Sequence, residues 1–295
     1  MGKINNKEVK RYSDPPAVCS YPGSGNSFVM YLLEVIFQRR AATQTHDTSS
    51  YIADVTRNHF PHRLQSNNEL DSSIDGFNFN ICGNVDVTLN MLVTKYHSIE
   101  QGWNKPIVFI LRDFREGLIG KLARKTRIHP PNNSPAMAGT LEKKIPNYKN
   151  IDIKLISKEI NGYMNMLQAF DNYKENKILI HYENLMSDND IFRKEIISVA
   201  RFIIDNHPDV LSLDDAMKNI DSIIRDMPDH RRNSRLLYTP GCQSSNFEDR
   251  DTLKFHQSHI NNPELIKQME LYCRWWDDCG LFEKYLNRYV DLDNT

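Results

Sequence analysis

The chain has 295 residues, and its 37 lysines and arginines against 38 aspartates and glutamates give a formal net charge of −1. With 40% hydrophobic and 25% charged residues, the composition is typical of a globular protein with a large core and predicts no nucleic-acid partner. The longest apolar run, residues 28–37, is about half of what a bilayer span requires, and residues 1–10 lack a secretion-signal pattern. Because its five scattered cysteines also suit reduced thiols, we expect a cytoplasmic protein without a membrane partner.

The first predicted unit is a buried strand over residues 17–21, a turn of small residues, and a helix over residues 25–39. In the turn, Gly23 and Gly25 let the backbone approach a ligand closely, and the first N–H groups of a helix lack intrahelical partners. Ser24 and Ser27 add hydroxyl donors. The pattern predicts a phosphate-binding loop, although an ordinary turn before a core helix fits the same residues. It is not a Walker A loop, because neither Gly23 nor Gly25 is followed by a lysine.

A second unit is built on five consecutive apolar residues, Ile107 to Leu111, in a strand predicted over 106–111. Such a run is typical of a strand buried on both faces of a parallel sheet. Arg112 follows at the carboxyl end, where open α/β sheets bind ligands. Residues 112–127 hold six basic and two acidic side chains, which indicates a site for a polyanion or, alternatively, a solvated basic helix face.

The remaining pattern alternates strands with helices and shows no internal repeat. The further predicted elements are strands near 78–83 and 91–95, helix 115–127, a proline-containing loop over 128–150, helix 152–174, strand 177–181, a helix with Ser187 as its N-cap, and helices 213–226 and 263–277. The pattern predicts an α/β fold, with residues 1–295 as a single domain whose central parallel sheet is flanked by helices. Residues 207–295 form its helical carboxyl-terminal part.

Three stretches resemble the motifs of sulfotransferases that use the donor 3′-phosphoadenosine 5′-phosphosulfate (PAPS). Residues 20–27, Ser-Tyr-Pro-Gly-Ser-Gly-Asn-Ser, resemble the family's 5′-phosphosulfate loop, and the apolar strand ending in Arg112-Asp113 resembles its 3′-phosphate motif. Residues 182–185, Tyr-Glu-Asn-Leu, are similar to the family's Tyr-Glu-(Asp/Asn)-Leu segment. The resemblance implies a P-loop NTPase-like sulfotransferase fold, PAPS as co-substrate, the desulfated nucleotide PAP as product, and no metal.

The resemblance also implies which residues bind the nucleotide. They are Gly23, Ser24, Gly25, Asn26, Ser27, Phe28, Arg112, Gly120, Tyr182 and, in place of the family's absent carboxyl-terminal motif, Arg231 and Arg232, with Arg235 as a further substitute.

Three of these positions depart from the family pattern. Gly23 stands where many members carry a catalytic lysine or arginine, and Gly120 where a serine helps to bind the 3′-phosphate. Arg115 or Arg124 is therefore expected to assist Arg112. Phe28 replaces a tryptophan, and either ring can stack on adenine.

Catalytic residues are suggested by Val93-Thr94-Lys95-Tyr96-His97, which resembles the family's strand-end Lys-Thr-His segment. The resemblance implies that His97 deprotonates the acceptor and that Lys95 contacts the transferred sulfuryl group. A histidine pKa near 6.5 suits proton uptake at neutral pH. A surface histidine is the alternative interpretation, and the rival bases are His46, His59 and His62.

The expected activity is in-line transfer of the sulfuryl group from PAPS to a hydroxyl or amine. Segments 41–75 and 128–150 are expected to line the acceptor pocket, and their polar content indicates a polar small molecule or a sugar. The alternatives are a small-molecule kinase and, because of Gly23, a non-catalytic nucleotide-binding relative. The sequence leaves the oligomeric state open.

Overall fold

A five-stranded parallel sheet, built from short apolar segments, organises the molecule. The strands are β1 (Ala17–Ser20), β2 (Ala42–Thr43), β3 (Thr94–Tyr96), β4 (Ile107–Leu111) and β5 (Lys177–His181), in the order β2-β3-β1-β4-β5. The computed structural model describes residues 15–38, 42–43, 92–125, 151, 153–207, 210–228, 230–231, 257, 260 and 262–291. Because every strand pair is parallel, all carboxyl ends meet at one edge.

Helices cover both faces of this sheet. They are α1 (Asn26–Phe37), α2 (Phe114–Lys125), α3 (Ile156–Asn172, preceded by a 3-10 turn, Ile153–Leu155), α4 (Tyr182–Leu185), α5 (Asn189–Asn206), α6 (Leu213–Arg225), α7 (Pro263–Trp276), a π-helical turn (Phe282–Leu286) and α8 (Asn287–Asp291). None of these helices is both long and apolar enough to cross a bilayer.

Alternating side chains of the central strands supply two hydrophobic cores. Val18 packs with α1, α5 and α6 on one face, whereas Ala17 and Cys19 pack with α2, α3 and α7 on the other. In register, Ala17 lies opposite Ile107 and Val18 opposite Val108, and all four side chains are fully buried. Because both faces of the sheet are buried at these strands, consecutive residues of β1 and β4 are apolar instead of alternating with polar residues.

The predicted fold class is confirmed: the described residues form an α/β domain with a central parallel sheet flanked by helices. Strand 177–181 has the predicted bounds, and the other predicted elements that lie within the described residues differ at their ends by a few residues. The predicted strand 78–83 and loop 128–150 lie outside the described residues.

One predicted helix start was wrong. Asp188, not Ser187, is the N-cap of α5, because its Oδ1 accepts hydrogen bonds from the backbone N–H groups of Asp190 and Ile191 at 3.0 and 2.9 Å. The Ser187 hydroxyl instead donates to the Glu183 carbonyl at 2.8 Å and so belongs to the end of α4. The sequence pattern also missed β2, the π-helical turn and α8, since each is too short to show a period of its own.

Candidate functional site

The loop after β1 depends on two glycines with left-handed backbone angles. The φ angles are 102° at Gly23 and 91° at Gly25, a region that other residues rarely adopt. The Ser24 N–H donates to the Tyr21 carbonyl at 3.1 Å and closes the turn. At Gly25 an added Cβ would overlap the ring of Tyr182, so both backbone angle and space require glycine there.

Helix α1 begins directly at this loop. Its N-cap is Gly25, which has no side chain to cap the first N–H groups. Asn26 is buried; its Nδ2 donates to the Tyr96 carbonyl at 3.4 Å, and its Oδ1 has no hydrogen-bond partner within the described part of the chain. An uncapped helix start beside close-approaching backbone is a setting in which proteins hold phosphate or sulfate groups.

Arg112 reaches from the end of β4 to this loop. Its Nη1 donates to the Gly23 carbonyl at 3.0 Å, and its Nη2 pairs with Glu116 Oε2 at 3.2 Å. The guanidinium carbon lies 4.6 Å from the centre of the Tyr182 ring, a cation–π distance. The structure thus brings the glycine loop, Arg112 and Tyr182 together at the carboxyl edge of the sheet.

Glu183, the residue after Tyr182, joins the ends of β4 and β5. Its Oε1 accepts a hydrogen bond from the Asp113 N–H at 2.9 Å, and its Oε2 accepts one from the Tyr289 hydroxyl at 3.2 Å. Burial raises the pKa of this carboxyl above its ordinary value. The Tyr-Glu-Asn-Leu segment therefore fixes the turn that carries Arg112 as well as placing its own tyrosine.

His97 lies at the same edge, just beyond β3. Its Nδ1 is 2.9 Å from the Ser20 carbonyl, and since a carbonyl only accepts, Nδ1 carries a proton; in the neutral ring Nε2 then carries the lone pair. The side chain of His97 is exposed. Lys95 pairs in register with Val18 and projects to the sheet face that α1 covers. The tautomer of His97 is the one that a general base at Nε2 requires.

Arg115, which the sequence led us to expect beside Arg112, contacts other partners in the structure. Its side chain is buried, pairs with Asp113 at 2.8 Å and donates to the Tyr289 carbonyl at 2.6 Å. These partners lie on the side of the β4–α2 turn that faces the carboxyl-terminal helix. Arg115 therefore stabilises the turn rather than lining the loop.

The glycine of α2 that faces the loop is Gly117. An added Cβ there would lie 3.5 Å from Ser24 Oγ, so the helix passes close to the loop. Gly120, where a serine is usual in the resembled family, is buried in the same helix three residues later. Because helical positions three apart share a face, Gly120 lies on the same side of α2 as Gly117.

Other predicted nucleotide contacts differ in accessibility. Phe28 is 7% exposed and packs within the core formed with α1, so little of its ring is open to a ligand. Arg231 is half-buried; burial lowers its pKa, while the electrostatic interaction with Tyr182 raises it. The side chains of Ser27 and Arg124, and residues His46, His59, His62, Arg232 and Arg235, lie outside what the structure describes.

Lys121, which in the sequence is one of six basic residues over 112–127, lies beside the loop. Its Nζ lies 3.0 Å from Glu159 Oε2 and 4.6 Å from the centre of the Tyr21 ring, and the Tyr21 hydroxyl donates to the same carboxylate oxygen at 2.6 Å. Lys121 therefore places a positive charge next to the residue that begins the loop.

A buried polar network supports the site from behind. His181 Nδ1 lies 3.1 Å from the Tyr289 hydroxyl, which donates to Glu183. Burial, followed by the positive charge of Arg288, lowers the pKa of His181 to about 4. Since Tyr289 lies on α8, this network ties the carboxyl-terminal helix to the strand ends that carry the site. Across the described ranges no cluster of three or more His, Cys, Asp or Glu side chains is arranged to hold a metal ion.

Comparison with known proteins shows the fold of this chain and nothing finer. No protein-family model matches it, and no curated protein sequence matches it. Among 31 matching chains of solved structures is a retinol dehydratase, crystallised in complex with androsterone and the inactive cofactor PAP. The two chains are 13% identical, the alignment covers 90% of this chain and 81% of the other, and the TM-score is 0.50. The chain therefore shares the α/β fold of the retinol dehydratase, with a central parallel sheet flanked by helices.

Proposed function

We propose that this protein is a PAPS-dependent sulfotransferase that transfers the sulfuryl group to a hydroxyl or amine of a polar small molecule or sugar, releasing PAP. The observation that carries the proposal is the contact of 3.0 Å between Arg112 Nη1 and the Gly23 carbonyl. Two motifs separated by 89 positions in the chain meet there at one edge of the sheet. That juxtaposition suits a nucleotide with phosphates at both ends.

The residues at this edge fit such a nucleotide by their chemistry. The uncapped start of α1 and the backbone of Gly23 and Gly25 would hold the 5′-phosphosulfate. The Arg112 guanidinium would bind the 3′-phosphate, because its planar fork matches phosphate oxygens. Tyr182 beside Gly25 and the half-buried Arg231 would contact the adenosine part. The PAP bound to the retinol dehydratase supports the same choice of nucleotide.

Catalysis follows from the orientation of His97. Its Nε2 would take the proton of the acceptor hydroxyl or amine as the acceptor atom forms its bond to sulfur. The bond between sulfur and the bridging oxygen breaks at the same time, and PAP leaves with the electron pair. Since Gly23 has no side chain, the developing negative charge would be stabilised by Lys95 and by the loop N–H groups.

Thermal-shift measurements with PAP, with and without magnesium, test the nucleotide assignment. We expect PAP to raise the melting temperature equally in both conditions, because a ligand stabilises the state that binds it. Stabilisation by ATP with magnesium, without any response to PAP, would contradict the proposal and indicate a kinase.

Turnover then separates an enzyme from a nucleotide-binding relative. Incubation with sulfur-labelled PAPS and a panel of sugars, polar alcohols and amines, followed by mass spectrometry, should yield a sulfated product. PAP binding without transfer to any acceptor in the panel would favour the non-catalytic alternative.

A further inference from the structure

The centre of the glycine loop needs an external support. Gly23 and Gly25, the two loop glycines with positive φ, each lose more conformational entropy on folding than other residues do. The first end of the loop is held by His97, which bonds the Ser20 carbonyl, and the second by Asn26, which bonds the Tyr96 carbonyl. Neither contact reaches Gly23, which lies between them.

Arg112 supplies a contact at that point. Its Nη1 donates to the Gly23 carbonyl at 3.0 Å, and a hydrogen bond from a charged group is stronger than one between neutral groups. Arg112 is only 8% exposed, so water competes poorly for its side chain. Gly23 is therefore attached to the end of β4 before any ligand arrives.

Glu116 holds the other side of Arg112. Its Oε2 lies 3.2 Å from Arg112 Nη2, and its Oε1 accepts a hydrogen bond from the Gln257 N–H at 2.7 Å. Glu116 is fully buried, so the ion pair is shielded from solvent. Because Nη2 contacts Glu116 and Nη1 contacts the Gly23 carbonyl, the orientation of the guanidinium group is fixed by a partner on each side.

We propose that Arg112 is a positioning residue for the glycine loop as well as a ligand for the 3′-phosphate, and that Glu116 orients it for both roles. The second role rests on the proposed function, whereas the first is a property of the ligand-free protein. One guanidinium then couples the two ends of the nucleotide site. Loss of Arg112 should weaken binding of a nucleotide that has no 3′-phosphate.

The test uses two matched double variants of the same turn. Arg112→Met with Glu116→Gln removes the pair that touches the loop, and Arg115→Met with Asp113→Asn removes the neighbouring pair that does not. Each combination neutralises both partners, so neither leaves an isolated buried charge. The first variant therefore loses the contacts of Arg112 with Gly23 and Tyr182, and the second loses the contact of Arg115 with Tyr289.

Hydrogen exchange of the ligand-free proteins reports on the loop directly. We expect the Ser24 amide to exchange about tenfold faster or more in the Arg112 variant, relative to helix α3 in the same protein. In the Arg115 variant this ratio should stay near the wild-type value. An unchanged ratio in the Arg112 variant, or an equal increase in both variants, would overturn the positioning role.

Binding of PAP and of adenosine 5′-monophosphate tests the coupling. We expect the Arg112 variant to lose affinity for both nucleotides, more for PAP, and the Arg115 variant to change neither by more than about twofold. A loss for PAP alone would mean that Arg112 serves only the 3′-phosphate, and it would overturn the inference. If wild-type protein binds neither nucleotide, the proposed function fails, while the exchange result still decides whether Arg112 fixes the loop.

Discussion

Arg112 and Arg115 lie on one turn, are both buried and both pair with a carboxylate, yet they belong to different regions of the molecule. Arg112 faces the glycine loop at the carboxyl edge, whereas Arg115 faces the carboxyl-terminal helix through Tyr289. Burial and charge alone therefore do not show which arginine faces the loop. The difference separates the edge with the loop, Arg112 and His97, which we call the ligand-facing edge because we propose that the nucleotide binds there, from a supporting network behind it.

His97→Ala should have the largest effect and should act only on the ligand-facing edge. We expect turnover to fall by about 10²–10⁴ because the proposed general base is lost, and PAP affinity to fall much less, since the loop loses only the hydrogen bond from His97 to the Ser20 carbonyl. Single-turnover assays with labelled PAPS and PAP titrations give the two quantities. Turnover that survives in this variant would move the base to the segment holding His46, His59 and His62.

Arg115→Met should act on the supporting network. Removing one partner of the buried pair leaves Asp113 uncompensated, so we expect a loss of about 3–5 kcal/mol in the free energy of unfolding. PAP affinity of the folded fraction should change little, since Arg115 does not contact the loop. Denaturant unfolding and titration below the melting transition measure both; an intact stability with lost PAP binding would reverse the roles assigned to the two arginines.

Gly25→Ala should damage the ligand-facing edge through the backbone. Alanine disfavours the φ of 91°, and its Cβ would overlap the Tyr182 ring. We expect nucleotide affinity to fall about a hundredfold by calorimetry. In a Tyr182→Ala background no overlap arises, so Gly25→Ala should still lower the affinity relative to Tyr182→Ala alone because the backbone strain remains; an unchanged affinity would show that the backbone angle is unimportant.

The pH dependence of stability should show the smallest effect, in the supporting network. The pKa of His181 is lowered to about 4 in the folded protein, so the unfolded chain binds the proton first as pH falls. Its stabilising contribution is complete above about pH 6.5 and is lost as pH falls toward 4. Discounted for partial exposure, we expect about 1–2 kcal/mol.

Comparison with His181→Asn isolates this contribution. The pKa of Glu183 is raised, so the stability that this carboxyl contributes is lost as pH rises. This pH dependence is opposite in sign to that of His181. The wild-type protein should therefore lose more stability between pH 6.5 and 4 than the variant does. If the free energy of unfolding depended on pH in the same way in both proteins, His181 would not contribute to the stability of the network.

Much of this arrangement could be predicted from the sequence. The apolar runs of β1 and β4, the spacing of Gly23 and Gly25, and the position of Arg112 after its strand all follow from local patterns, and parallel strands bring their carboxyl ends to one edge.

The remaining details depend on tertiary packing. The excess of positive charge over residues 112–127 could not reveal that Arg115 turns toward Tyr289. Nor could it reveal that Lys121 approaches Tyr21, because the acidic partner, Glu159, comes from another helix. The choice of Asp188 over Ser187 as N-cap depended on the short helix α4, which uses the Ser187 hydroxyl.

A crystal structure with PAP tests the central claim most directly. We predict that the 5′-phosphate lies at the N–H groups of the glycine loop and that the 3′-phosphate contacts Arg112, with His97 Nε2 facing the space where the sulfuryl acceptor would bind. A nucleotide bound away from the loop, or one whose 3′-phosphate does not approach Arg112, would contradict the account.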